Sequence, residues 1–143
     1  MQSSINTHNI TVKLDLDKNI LVDGYENELT QCLINIFNNA KDAMIEKNIE
    51  NKLLFISTSK IKGEACIKIR DNGGGIANEL LEKIFEPYFT TKHQSQGTGL
   101  GLHMTYTLIS NGMKGTIEAS NVSYRYEGKN YKGAEFKVTL PLS

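Results

Sequence analysis

Between Leu29 and Met44, apolar residues recur at steps of three and four: Leu29, Cys32, Leu33, Ile36, Phe37, Ala40, Ala43 and Met44. That spacing draws one broad apolar stripe along a helix from about Glu26 to Glu46, and such a stripe has to be buried against another layer. The flanking segments have a different period. Ile10, Val12, Leu14 and Leu16 alternate with polar residues, as in a half-buried strand. Asn19 to Val22 reads as a second short strand. Leu53 to Ser59 and Ala65 to Arg70 read as a strand pair turned at Lys62-Gly63-Glu64. Asn78 to Phe85 is a short amphipathic segment, and a further helix runs to about Ser110 and stops at Asn111-Gly112. Gly115 to Asn121 and Gly133 to Leu140 read as closing strands, with Tyr124 to Tyr131 as an exposed hairpin loop. The expected fold class is α/β: a two-layer sandwich in which about three helices cover one face of a mixed, mostly antiparallel sheet.

The chain has 143 residues, enough for one domain with one core. Sixteen basic and sixteen acidic side chains cancel, which argues against nucleic acid as the main ligand. No apolar run approaches the roughly 20 residues of a membrane span, so no membrane contact is expected. Met1 to Asn9 is polar and lacks a signal-peptide pattern. Cys32 and Cys66 show no metal-ligand or redox spacing, and a cytoplasmic setting fits. Asn121-Val122-Ser123 matches a glycosylation sequon, which without a secretory signal carries no weight.

Four segments hold the chemistry. Asn35, Asn39 and Asp42 lie four and three apart, so they share a face beside the apolar stripe. Asparagine is a poor helix former, and its amide oxygen is a hard, neutral donor suited to Mg²⁺. Asp71-Asn72-Gly73-Gly74-Gly75-Ile76 follows a core strand; it is either a plain turn or a ligand loop with an acceptor at its head. Phe85-Glu86-Pro87-Tyr88-Phe89-Thr90-Thr91-Lys92 pairs aromatics around a proline, and Lys92 could meet phosphate as a point charge. Gly97-Thr98-Gly99-Leu100-Gly101-Leu102 opens a helix, where free N–H groups make an anion site. It is neither the dinucleotide fingerprint nor the lysine-containing phosphate loop. His8, His93 and His103 lack partners at ligand spacing and are given no catalytic role.

In this order the four segments resemble the N, G1, F and G2 boxes of the histidine-kinase catalytic and ATP-binding domain. That domain shares a superfamily, with a Bergerat-type fold, with DNA gyrase B and with the heat-shock and mismatch-repair ATPases. Lys132 to Pro141 is similar to the family's closing strand. The resemblance covers about residues 9–142 and implies a single catalytic domain over 1–143 that uses ATP and Mg²⁺. It implies that Asn39 binds the metal, with Asn35 beside it and Asp42 nearby, and that Asp71 accepts the adenine amino group. Gly73, Gly75 and Ile76 would pass the base. Gly97, Thr98, Gly99, Leu100, Gly101 and Leu102 would wrap the phosphates. Residues 76–96 would form a lid carrying Phe89, Thr91 and Lys92. Thr90-Thr91-Lys92 is similar to the nitrogen-regulator subtype.

Three departures bear on the reaction. Hydrolytic cousins carry a water-activating glutamate where this chain has Asn35, which points to phosphoryl transfer to a protein. Asp42 stands where some sensor kinases have a phosphate-binding lysine, so Lys92 takes that role. Ala134 replaces a threonine that helps hold a water at the base. The phosphoacceptor hairpin is absent, so the resemblance implies the monomeric catalytic part of a larger sensor kinase. Its partners would be the parent's dimerisation and phosphoacceptor domain and, downstream, a response regulator. A nucleotide-binding regulatory module that does not transfer phosphate is the alternative.

Overall fold

A computed structural model of the chain describes residues 10–16, 26–87 and 101–141. Five strands form one sheet: β1 (Ile10–Asp15), β2 (Lys52–Ile61), β3 (Glu64–Asp71), β4 (Thr116–Tyr126) and β5 (Lys129–Pro141). Their order across the sheet is β1-β2-β3-β5-β4. β1 runs parallel to β2, and every other pairing is antiparallel. The helices are α1 (Glu26–Glu46) and α2 (Gly101–Thr107), the latter closing on a wider turn over Leu108–Gly112. Asn78–Leu80 and Lys83–Phe85 make two single turns of 3₁₀ helix, not one continuous helix.

The stripe predicted on the long helix is the buried one. Cys32, Ile36, Phe37, Ala40 and Met44 are all at most 2% exposed. They pack on alternate strand residues that the register places on one sheet face: Leu54, Ile67, Ile69, Phe136, Val138 and Ile117. α1 ends where Asn48 takes a left-handed backbone conformation and the Ile49 N–H donates to the Met44 carbonyl at 3.0 Å. The edge strand departs from its expected pattern. Ile10 is buried and Val12 touches the core, but Leu14 and Leu16 are 63% and 50% exposed, so only the start of β1 is covered. The expected strand at Asn19–Val22 lies outside the described residues.

The expected exposed loop at Tyr124–Tyr131 is instead the end of a long hairpin. Tyr124 pairs with Tyr131 and Tyr126 with Lys129, leaving a two-residue turn at Glu127-Gly128. The hairpin runs past the end of β3 and folds its aromatic rings over the sheet face opposite the core. Phe55 of β2 meets Tyr124 and Tyr126 edge-on at 5.6 and 5.0 Å, and the Arg70 guanidinium lies 4.8 Å from the Tyr124 ring centre. Aromatic and cation–π contacts of this kind stabilise by about 0.5–1.5 kcal/mol each beyond the area they bury. That is why a segment rich in tyrosine pairs here and does not remain a loop.

Candidate functional site

β3 ends on a carboxylate inside the protein. Asp71 is 3% exposed, and its Oδ1 accepts the N–H of Gly73 at 2.8 Å and the N–H of Ala134 at 3.1 Å. No described residue bonds its Oδ2. Burial pushes the Asp71 carboxyl above the usual carboxylate range; the two backbone N–H groups and the Lys47 ammonium oppose that shift. A buried acceptor with one oxygen anchored and the other unused is chemically ready to take a ligand N–H. Ala134 has no hydroxyl, yet its backbone N–H holds the same carboxylate. Asp71 is therefore oriented by the main chain.

The turn after Asp71 is gripped from both layers of the fold. The β4–β5 hairpin provides four contacts. The Tyr124 hydroxyl donates to the Asp71 carbonyl at 2.8 Å, and the Gly74 N–H donates to the Lys132 carbonyl at 2.9 Å. The Asn121 side chain accepts the Ile76 N–H at 2.7 Å and donates to the Ile76 carbonyl at 2.6 Å. From the turn just past α1, the Lys47 ammonium donates to the Gly75 carbonyl at 3.0 Å. Asn72 faces inward: its Oδ1 accepts the Leu53 N–H and its Nδ2 donates to the Asn51 carbonyl, tying the turn to the start of β2. Lys47, Asn72, Asn121 and Tyr124 were not readable as site residues. Their partners are backbone atoms far away in sequence, and no residue pattern encodes those.

α1 is the floor that joins the two glycine segments. At one end Met44 lies against Gly73, with a Cβ placed there meeting the Met44 Cγ at 3.4 Å. At the other end the Asn35 Nδ2 donates to the Gly101 carbonyl at 3.3 Å and to the Thr105 hydroxyl at 3.1 Å, while its Oδ1 accepts from Gln31. Met44 lies nine positions beyond Asn35, roughly 13 Å along the helix. Asn39 sits between them, one turn from Asn35, partly buried, and no described residue bonds its amide. Asn35 is therefore a tie between α1 and α2, and Asn39, one turn on, has no such tie among the described residues. Among the described residues no cluster of three His, Cys, Asp or Glu could hold a metal. A divalent ion at Asn39 would meet a hard amide oxygen, a donor that suits Mg²⁺ sharing a ligand's phosphates.

Asp71, Gly73, Gly75 and Ile76 come together in one turn, with Asn35, Asn39 and Asp42 on the helix below and Gly101 and Leu102 at the start of α2. Phe89, Thr91, Lys92, Gly97, Thr98, Gly99 and Leu100 lie outside the described residues, as does most of the expected lid. His103 is turned inward, its Nδ1 3.1 Å from the Phe85 carbonyl. Cys32 and Cys66 are buried free thiols, and burial pushes the Cys32 thiol up. No helix among the described residues is long and apolar enough to cross a membrane.

Residues 24–143 match the family model described as histidine kinase-, DNA gyrase B- and HSP90-like ATPase. The chain is 38% identical over 131 residues to the two-component sensor PprA of Pseudomonas aeruginosa, covering 87% of this chain and 13% of PprA. It is 31% identical over 144 residues to sporulation kinase C of Bacillus subtilis, covering 96% of this chain and 30% of that kinase. It thus spans under a third of either relative. The fold superposes on the catalytic domain of histidine kinase ThkA with a TM-score of 0.77 at 31% identity, covering 98% of this chain and 84% of that one. ThkA in complex with the response regulator TrrA matches with a TM-score of 0.73 at 26% identity, covering 99% of this chain and 37% of that one.

Proposed function

Since this chain belongs to the family of histidine kinase-, DNA gyrase B- and HSP90-like ATPases, we propose that it is the ATP-binding catalytic domain of a two-component sensor histidine kinase. It would pass the γ-phosphoryl group of ATP to a histidine on a separate dimerisation and phosphoacceptor domain, and a response regulator would receive it next. The observation that carries the reading is Asp71. This carboxylate is buried at a strand end, has one oxygen fixed by Gly73 and Ala134, and stands beside a glycine turn. Its free oxygen would accept the adenine amino group. The sensor-kinase relatives and the ThkA–TrrA complex support the parent activity and the response-regulator partner. A cytoplasmic location and a monomeric state for this domain belong to the same proposal.

Each residue then has a chemical part. Asn35 anchors Gly101 and so sets where the phosphate-wrapping segment 97–102 joins the helix. Asn39 and the phosphates would hold Mg²⁺, which neutralises the charge that develops on the transferring group. Lys92 would meet the phosphates from the lid, and Thr90-Thr91-Lys92 supports the nitrogen-regulator-like subtype. An amide at position 35 cannot deprotonate water, so transfer to a protein is favoured over hydrolysis. In-line transfer needs the acceptor nitrogen brought to the γ-phosphate, which is the role of the partner domain.

Calorimetric titration with ATP, with and without Mg²⁺, followed by transfer to the parent kinase's phosphoacceptor domain, tests the proposal. Nucleotide binding with transfer supports it. Binding without transfer to that acceptor would instead identify a regulatory nucleotide module.

A further inference from the structure

We propose that Asn121, on β4, is a positioning residue of the nucleotide site, holding the backbone of Gly75 and Ile76 in the path that leaves Asp71 open; this rests on the nucleotide reading above. Asn121 grips both polar groups of a single residue, accepting the Ile76 N–H at 2.7 Å and donating to the Ile76 carbonyl at 2.6 Å. This is the pairing a neighbouring strand would supply, delivered by a side chain where no strand runs. The same Nδ2 also donates to the Asn78 Oδ1 at 3.0 Å. Asn121 lies opposite Ala134 in the β4–β5 register, and the Ala134 N–H orients the Asp71 carboxylate. One cross-strand pair therefore holds both ends of the turn: Ala134 holds Asp71, and Asn121 holds Ile76.

The glycine at position 75 fits this role. Its φ of +92° disfavours other residues, and a Cβ there would sit 2.7 Å from the Asn121 Oδ1. The seat of Asn121 thus needs the glycine as much as the turn does. Lys47 takes the Gly75 carbonyl from the helix side, so the peptide that joins residues 75 and 76 is held from both layers. Asn121 is itself exposed and outside the core. Its removal leaves no cavity, and its effect falls on the turn. A turn whose polar groups are already paired gives up less freedom when a ligand arrives, and affinity gains accordingly.

The test uses Asn121→Ala and Asn121→Asp in this chain, titrated calorimetrically with ATP, adenosine and inorganic tripolyphosphate, alongside thermal melting without ligand. Asn121→Ala should weaken ATP and adenosine by the same factor, about tenfold, and lower the melting temperature by several degrees as the bonds to Ile76 are lost. Asn121→Asp should weaken them more, because a carboxylate cannot donate to the Ile76 carbonyl and repels it. Tripolyphosphate should bind all three proteins alike. Unchanged ATP affinity in Asn121→Ala would overturn the inference. So would an equal loss for adenosine and tripolyphosphate, the mark of a merely structural residue. A wild-type chain that bound no ATP would sink the nucleotide reading and this inference with it; wild-type binding with indifferent variants would sink the inference alone.

Discussion

At Asp71, binding and stability pull in opposite directions. Burial raises its pKa in the folded chain, so the folded state favours the neutral carboxyl more than the unfolded chain does. This contribution to stability is full below the ordinary carboxylate range and is lost as pH rises through the folded pKa. Ionising Asp71 therefore weakens the ligand-free domain. Asp71→Asn keeps an oxygen for the Gly73 and Ala134 N–H groups and removes the charge. It should leave the melting temperature equal or higher at neutral pH, an advantage that shrinks on acidification. ATP affinity should fall about 10- to 150-fold with the loss of a charge-assisted bond of about 1.5–3 kcal/mol. Melting curves across pH and calorimetric titration measure the two effects; a variant that melts lower at neutral pH would contradict the sign. Asn39→Ala should behave differently. Backbone N–H groups can hold phosphates without the metal, so nucleotide should still bind while Mg²⁺-dependent transfer to an acceptor falls at least tenfold; transfer at the wild-type rate would remove Asn39 from the metal. Asp71 and Asn39 stand out in the sequence as candidates because their residue types are out of place, a carboxylate at the end of an apolar strand and asparagines inside a helix. Asn121 does not, because its role depends on Ile76, 45 positions away.

Among the elements, the β4–β5 hairpin was read least well. Its alternation is carried by Val122, Tyr124 and Tyr126, and half-polar aromatics in a segment rich in charge look like a loop. The rings pair because Phe55 and Arg70 lie beneath them, and only the folded sheet places those residues there. α1 was read almost to the residue, since a single stripe of period 3.6 specifies both its type and its buried face. The hairpin's value to the site can be measured at two positions. Tyr124 keeps its proton, its pKa pushed up to about 12 mainly by burial and next by the Asp71 charge, so its hydroxyl is a donor at any working pH. Tyr124→Phe preserves the ring contacts and deletes the 2.8 Å bond to the Asp71 carbonyl; it should cost about 1 kcal/mol in urea denaturation. Gly133→Ala should be far worse. A Cβ there overlaps the Asp71 carbonyl oxygen, and both atoms are on backbone that cannot turn aside. A loss of about 3 kcal/mol or more is expected, and near-wild-type stability would mean that the crossing of β5 over Asp71 is looser than described.

For the whole molecule, the question is what the proposed nucleotide site can do when no separate phosphoacceptor domain is supplied. His103 is the only histidine among the described residues, and its Nδ1 lies 3.1 Å from the Phe85 carbonyl. Phosphoryl transfer needs a nitrogen in line with the γ-phosphate, and that nitrogen is proposed to lie on a separate acceptor domain. With ATP and Mg²⁺ alone, the chain should therefore form no acid-labile phosphohistidine. It should hydrolyse ATP slowly, because Asn35 is engaged with Gly101 and Thr105 and is no base. Adding the parent kinase's phosphoacceptor hairpin as a separate protein should restore transfer. The rate at micromolar acceptor should be on the order of 100-fold or more below that of the tethered pair, since a short tether supplies a millimolar effective concentration. Radiolabelled ATP with the chain alone, then with increasing hairpin, reads both effects in one assay. Acid-labile label on the chain alone would place an acceptor within these 143 residues. A transfer rate independent of hairpin concentration would show that the chain and its acceptor associate tightly without a tether.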